Sequence, residues 1–372
     1  MKLTLQLRLL PSAEQAAALA DTMGAFNAAA THAARVAFEA GVFSRPSVHR
    51  LCYYDLRKQY GLSAQLAVRA IGKAVEVFRR DKSRAPVFRP DGAITYDERC
   101  FSFKGPAVAS ILTRAGRVLV PMVYGEYQRQ RFDRIKGQVD LLIRAGQFYL
   151  YATIDMPDGA PIEPSDFLGV DLGVVNLATT SDGETFTGAV VEAVRKRCSL
   201  RRKRLQREAT RQQKQGKRPR GVRRAQQRHD QKEARFRRCE NHRIAKHIVS
   251  LAQDTKRGIA VEDLRHIRAR TRFAKAQRAR LGGWAFAQLQ GFLAYKARLR
   301  GVPLVTVDAR YTSQTCHACG HCDRANRPDQ ARFACTACGH SANADHNAAQ
   351  NIAARALVMA PQVSGPPQNI AA

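Results

Sequence analysis

The chain has 372 residues, 45% of them apolar, enough for two or three structural units with buried cores. Its 62 Lys and Arg against 31 Asp and Glu give a formal net charge of +31, a self-repulsion that points to an anionic polymer, nucleic acid above all, as partner. No apolar run approaches the ~18 residues of a spanning helix and no signal-peptide pattern opens the sequence, which argues against a membrane partner and for a cytoplasmic protein.

Residues 2–8, KLTLQLR, alternate apolar and polar side chains as a half-buried strand does, and Pro11 ends it. From Ser12 to about Arg80 the spacing is helical. Ser12 followed by Glu14 and Gln15 makes a helix start, and Gly61 and the stretch from Ser44 to Pro46 make breaks. From about Val87 to Asp158 short strands return, in YDERCFSFKG, RVLVPMV, GQVDLLIRAG and QFYLYATIDM. They suggest an antiparallel, barrel-like sheet that the first strand joins. Gly159, Pro161 and Pro164 then interrupt all regularity and mark a boundary.

Beyond it, FLGVDLGVVNLATT reads as a buried strand, a tight turn and a second strand, and SDGETFTG as a hairpin turn. A long helical stretch covers about 192–254, broken between Gly216 and Gly221. Its positions 195–238 carry twenty Lys or Arg against three acids. Solvated helices usually mix signs, so this excess predicts a helical hairpin laid along phosphates. GIAVEDL follows as a buried strand, then a second basic stretch from Arg265 to Arg280. A helix from Trp284 to about Arg300 comes next, whose Trp284, Leu289, Leu293 and Tyr295 fall at core spacing. LVTVD is a third buried strand, and the alternation implies an α/β sheet.

Three acids stand where the pattern wants apolar groups or a helix start. Asp171 lies in FLGVDL, Glu262 ends GIAVE, and Asp345 opens the predicted helix ADHNAAQNIAARA. Singly, each has a structural reading: a turn ligand for backbone amides, a partner for an Arg, a helix cap. Together, in a basic protein, they form the hard-oxygen set that holds Mg²⁺ or Mn²⁺ for phosphodiester cleavage.

Of nine cysteines, five crowd into residues 316–338. Cys316 and Cys319 make one CxxC and Cys335 and Cys338 another after fifteen intervening residues, within the repeated CHACGH and CTACGH; this is the spacing of a closed, structural zinc site. Gly320 and Gly339 suit the tight turns. Cys322, His321 and His340 remain alternative ligands. Cys52, Cys100, Cys198 and Cys239 read as small buried hydrophobes.

These segments resemble TnpB, the transposon-encoded relative of type V CRISPR nucleases. GVDLGVVNLAT is similar to that family's first RuvC motif and GIAVEDL to its second. YTSQTCHACGHCDR through ACTACGHSANADHNAAQNIA resembles its zinc ribbon and third motif. The resemblance implies an α/β plus all-β architecture: an RNase H-like (RuvC) nuclease domain at 161–310 and 342–360, with a zinc ribbon inserted at 311–341. Before it would lie a wedge-like β-barrel domain at 1–10 and 81–160 carrying a helical recognition insertion at 11–80. Residues 361–372 would be a disordered tail. Asp171, Glu262 and Asp345 would be catalytic Mg²⁺ (or Mn²⁺) ligands, and Cys316, Cys319, Cys335 and Cys338 would hold structural Zn²⁺.

The implied function is RNA-guided, metal-dependent cleavage of double-stranded DNA beside a short flanking motif, with a guide RNA from the transposon end; the sequence leaves the oligomeric state open and favours a monomer. The alternatives are a guided repressor without cleavage, or an unguided RuvC-like nuclease or transposase. One departure is visible: family members often show Asp-x-Asp in the third motif, whereas Asn343 precedes Asp345 here.

Overall fold

The computed structural model describes residues 1–264 and 286–359. The chain divides into two compact units, Met1–Pro157 and Asp158–Ala372. The basic stretch from Arg265 to Arg280, Trp284 and the tail at 361–372 lie outside the described residues.

In the first unit, alternation of Leu5, Leu7 and Leu9 with exposed polar residues builds strand β1 (Lys2–Leu9). Helix α1 (Ala13–Glu39) begins with a capping box: the Ser12 hydroxyl accepts from the Gln15 N–H, and the Gln15 side chain accepts from the Ser12 N–H. Helix α2 (Arg45–Tyr60) is capped by Ser44 and stopped by Gly61, whose φ of 60° is left-handed, and α3 (Ala64–Phe78) starts on Ser63. Alanines of α1 and α3 join Leu7 and Leu9 of β1 in one apolar core.

The strands are β2 (Ile94–Tyr96), β3 (Phe101–Lys104), β4 (Val108–Thr113), β5 (Gly116–Val123), β6 (Ile135–Arg144) and β7 (Gln147–Asp155). With β1 they form a nearly closed antiparallel sheet ordered β2-β6-β7-β1-β5-β4-β3. The first strand of the chain thus lies at its centre, paired with β7 and β5. A short helix α4 (Glu126–Arg129) follows β5. YDERCFSFKG is not one strand. Tyr96 ends β2 and residues 97–100 turn, with the Cys100 N–H donating to the Asp97 carbonyl at 3.0 Å. Strand β4, VASILT, escapes a search for alternation because Ala109, Ser110 and Ile111 are buried in succession.

The second unit is a sheet between helices. Strands β8 (Phe167–Asp171), β9 (Asn176–Thr180), β10 (Thr185–Thr187), β11 (Gly258–Glu262) and β12 (Leu304–Val307) run in the order β10-β9-β8-β11-β12. β8, β11 and β12 are parallel; β9 and β10 are antiparallel additions. Between β10 and β11 come α5 (Ala189–Lys214) and α6 (Arg220–Asp254), and between β11 and β12 comes α7 (Phe286–Leu299). A hairpin of β13 (Arg332–Ala334) and β14 (Ser341–Asn343) leads into α8 (Ala344–Met359).

Period-two alternation divides the sheet's side chains between its faces. Leu168, Val170, Ile259 and Val261 pack with Ile244, Ile248 and Val249 of α6 and Leu289 and Leu293 of α7. Phe167, Ala260, Val305 and Val307 pack with Ile352 and Ala356 of α8. Leu289 and Leu293 are therefore core. Tyr295 packs edge-on to His242, which stacks on Phe292 at 3.8 Å between centroids.

The α5–α6 arms carry the one-sided charge. Glu192, Glu208, Glu233 and Glu240 pair with Arg195, Arg211, Arg202 and Arg243 at 2.6–3.1 Å, too few acids to offset the basic excess. Among the described residues, no helix is long and apolar enough to cross a membrane.

Candidate active site and metal centre

Asp171 and Glu262 are the last residues of parallel neighbours. The register pairs Val170 with Val261, so the two acids leave the same end of the sheet side by side. Asp345 arrives from the first turn of α8. Its carboxylate accepts from the Asn176 side-chain amide at 2.9 Å and from Arg327 at 3.5 Å. Glu262 is buried and accepts a short hydrogen bond from the Thr312 hydroxyl.

Asp171 feels the charge of both other acids. Desolvation, then the charges of Glu262 and Asp345, push the Asp171 carboxyl up to about 8, with Arg327 pulling the other way. Burial also raises Glu262, against the opposing pull of the Thr312 hydrogen bond and of Arg355 and Arg327. Such crowding is what a bound divalent cation relieves, and an all-carboxylate donor set suits Mg²⁺ or Mn²⁺.

Two local features deliver Asp345. Gly169 lets α8 lie against β8, since a Cβ there would stand 2.0 Å from the Ala349 carbonyl oxygen. Asn343 caps α8: its side-chain oxygen accepts from the N–H groups of Asp345 and His346 at 3.0 and 3.2 Å. The residue that departs from Asp-x-Asp thus has a capping task that Asp or Asn can perform.

Cys316, Cys319, Cys335 and Cys338 offer sulfurs all within 4.8 Å of one another. Cys316 and Cys338 are 3.7 Å apart and Cys319 and Cys335 3.6 Å, close to the edge of about 3.8 Å for sulfurs at ~2.3 Å from a tetrahedral zinc. The two CxxC turns are copies. The N–H groups of Gly320 and Gly339 donate to the carbonyls of Cys316 and Cys335, whose own N–H groups donate to the carbonyls of His321 and His340. Both glycines are left-handed, at φ 76° and 73°. The Cys338 N–H donates to the Cys335 sulfur at 3.5 Å. Cys322, which is exposed, is outside the cluster. Cys52, Cys100 and Cys198 are buried, whereas Cys239 is exposed, because it lies on a solvent-facing position of α6.

Several supporting residues do not announce themselves in the sequence. Buried Asn326 donates to the carbonyls of Gln314 and His321 and accepts from the Thr336 N–H and hydroxyl, tying the two cysteine turns together. Asn347 and Asn351 are buried on α8 among Ala348 and Ile352. Amides at i and i+4 on an apolar helix face were the available signal. Arg327 is one arginine among dozens and gave none.

The second unit is thus an α/β sheet with three acids near one end of its parallel strands and an attached cysteine element. Residues 152–269 match the OrfB_IS605 family, described as "Probable transposase", and residues 286–352 match the Cas12f1-like TNB domain. The chain is similar to Cas12f1 and TnpB-like proteins, and it spans 58% of the length of the Cas12f1 protein it matches. It is 33% identical over 265 residues to the CRISPR-associated endodeoxyribonuclease Cas12f1 of Sulfoacidibacillus thermotolerans, covering 66% of this chain and 58% of that protein. It is 28% identical over 306 residues to InsQ of Escherichia coli (strain K12), named provisionally as an RNA-guided DNA endonuclease, covering 78% of this chain and 73% of InsQ. Its fold is similar to that of Cas12f1 in a complex with sgRNA and target DNA, with a TM-score of 0.61 at 15% identity over 95% of this chain and 98% of that one.

Proposed function

We propose that this chain is an RNA-guided DNA endonuclease of transposon origin that cleaves double-stranded DNA beside a short flanking motif. The observation that carries the reading is the placement of Asp171 and Glu262 side by side at the ends of β8 and β11, with Asp345 in the first turn of α8, the helix that packs against that sheet. A guided repressor would have no need to pack three acids at such a cost.

Asp171, Glu262 and Asp345 would hold Mg²⁺ or Mn²⁺, which when bound activates the attacking water and stabilises the leaving oxygen. The protein's own part is positional. The sheet end aims two carboxylates, the Asn343 cap and the close fit at Gly169 aim the third, and Asn176 fixes one oxygen of Asp345. The four thiolates would take Zn²⁺ with no open position, a structural role. The Lys- and Arg-rich α5–α6 arms would grip the phosphates of a guide–target heteroduplex, while base pairing supplies sequence recognition. The sheet and helices of the first unit would serve as the wedge and recognition regions, holding a guide RNA derived from the transposon end and reading the flanking motif. The sheet order, with β8 central and β9 and β10 antiparallel beside it, supports an RNase H-like nuclease domain.

The test is to purify the protein from cells carrying its native flanking DNA, sequence the bound RNA, and assay Mg²⁺-dependent cleavage of plasmids that match it beside randomised flanks. Cleavage requiring both match and flank, lost in Asp171→Ala with RNA binding retained, is the expected result. A defined RNA with target binding but no cutting would turn the reading to a repressor, and absence of a defined RNA to an unguided nuclease or transposase.

A further inference from the structure

One stretch of chain, residues 312–315, links the acid site to the cysteine cluster, and its fastenings run in both directions. Thr312 is 2% exposed and its hydroxyl donates a hydrogen bond to Glu262 Oε1. Three residues on, Thr315 immediately precedes the first zinc-type cysteine, Cys316. The stretch is held from the side by two amides one turn apart on α8. Asn351 Nδ2 donates to the carbonyls of Thr312 and Thr315 at 2.9 and 2.7 Å. Asn347 Nδ2 donates to the Thr315 carbonyl at 2.8 Å, and its Oδ1 accepts from the His317 N–H at 3.0 Å. The helix that carries Asp345 therefore also clamps the segment whose hydroxyl holds Glu262.

A carboxylate in a buried cleft can rotate about its last bond and present either oxygen. With Oε1 engaged by Thr312, the orientation of the group is set and Oε2 is left for other partners. Groups that hydrogen-bond a metal-ligating carboxylate in this way fix its geometry, and their loss costs metal affinity as well as packing.

We propose that Thr312 is a positioning residue for Glu262, locked by Asn351, so that α8 sets two acids of the site at once: Asp345 directly and Glu262 through the 312–315 clamp. This rests on the carboxylate metal site proposed above. It differs from a merely structural hydroxyl, which would satisfy a buried acid and affect folding alone.

The experiment titrates Mn²⁺ into the zinc-loaded full-length protein, following the free ion by its electron paramagnetic resonance signal, for wild type, Asp171→Asn, Thr312→Val, Thr312→Ser and Asn351→Ala. Zinc content and melting temperature are measured alongside. The Mn²⁺ dissociation constant should rise about 10- to 100-fold in Thr312→Val and Asn351→Ala, and stay within about threefold of wild type in Thr312→Ser, which keeps the hydroxyl. Zinc content should be unchanged in Thr312→Val. Wild-type Mn²⁺ affinity in a folded, zinc-loaded Thr312→Val would overturn the positioning role, as would a Thr312→Ser that behaves like the valine variant. A wild type whose Mn²⁺ binding is absent, or indifferent to Asp171→Asn, overturns the underlying metal site and the positioning role with it, a pattern distinct from the first.

Discussion

The cysteine cluster and the acid site bring four thiols and three carboxyl groups to their places by opposite means. The thiols come from two copies of one local turn, CHACGH and CTACGH, each closed by its own glycine and its own backbone hydrogen bonds. The acids come from the ends of two parallel strands and the start of a helix, with 173 residues between Asp171 and Asp345. The first arrangement is written into a dozen residues; the second exists only when the whole sheet has formed. A local site should therefore fail locally and by losing its ion, and a non-local one should be sensitive to how elements pack.

The largest effect is expected at the local site. Cys335→Ser should bring bound zinc, measured by atomic absorption, close to zero, and should lower the melting temperature, since structural zinc contributes on the order of 10 kcal/mol to small zinc domains. Retained zinc would remove Cys335 from the shell.

Next comes the acid site. Asp171 binds its proton more tightly folded, at about 8, than unfolded, near 3.9, so its ionisation opposes folding. Metal-free protein should lose stability as pH rises from about 4 to about 8. Asp171→Asn should flatten that loss in pH-dependent melting while lowering cleavage on the order of 10³-fold or more.

Packing effects are smaller. Gly169→Val drives a side chain into the Ala349 carbonyl and should cost about 1–3 kcal/mol, read by denaturant unfolding, with cleavage falling further than stability because Asp345 rides on the displaced helix. Asn343→Ala removes only the cap of α8 and should cost about 1 kcal/mol. Asn343→Asp should leave stability near wild type, which would show that the position works as a cap.

What the sequence disclosed follows the same division. The CxxC pairs, the capping box at Ser12, the stop at Gly61 and the charged α5–α6 arms are local patterns whose physics lies within a few residues. Asp171 and Glu262 stood out because each interrupts an apolar strand, but only the parallel register of β8 and β11 puts them side by side. Asp345 looked like a helix cap until the structure gave that task to Asn343. Thr312 and Arg327 are illegible because their acidic partners, Glu262 and Asp345, lie 50 and 18 residues away and nothing in their own neighbourhoods is unusual, whereas Asn347 and Asn351 leave a trace as two amides on an apolar helix face. Strand β4 was missed for want of alternation, and the turn at 97–100 because Tyr96 and Phe101 on either side both look like strand.

The seat of α8 on the sheet has a consequence for synthesis. Ribosomes deliver β8, β11 and β12 before α8, so the sheet face bearing Phe167, Ala260, Val305 and Val307 waits bare until Ile352 and Ala356 emerge to cover it. During that interval the nascent chain presents an adhesive apolar surface and holds two acids without the third. A growing polypeptide therefore cannot assemble the full acid set, and covering the greasy face and arming the site become one event.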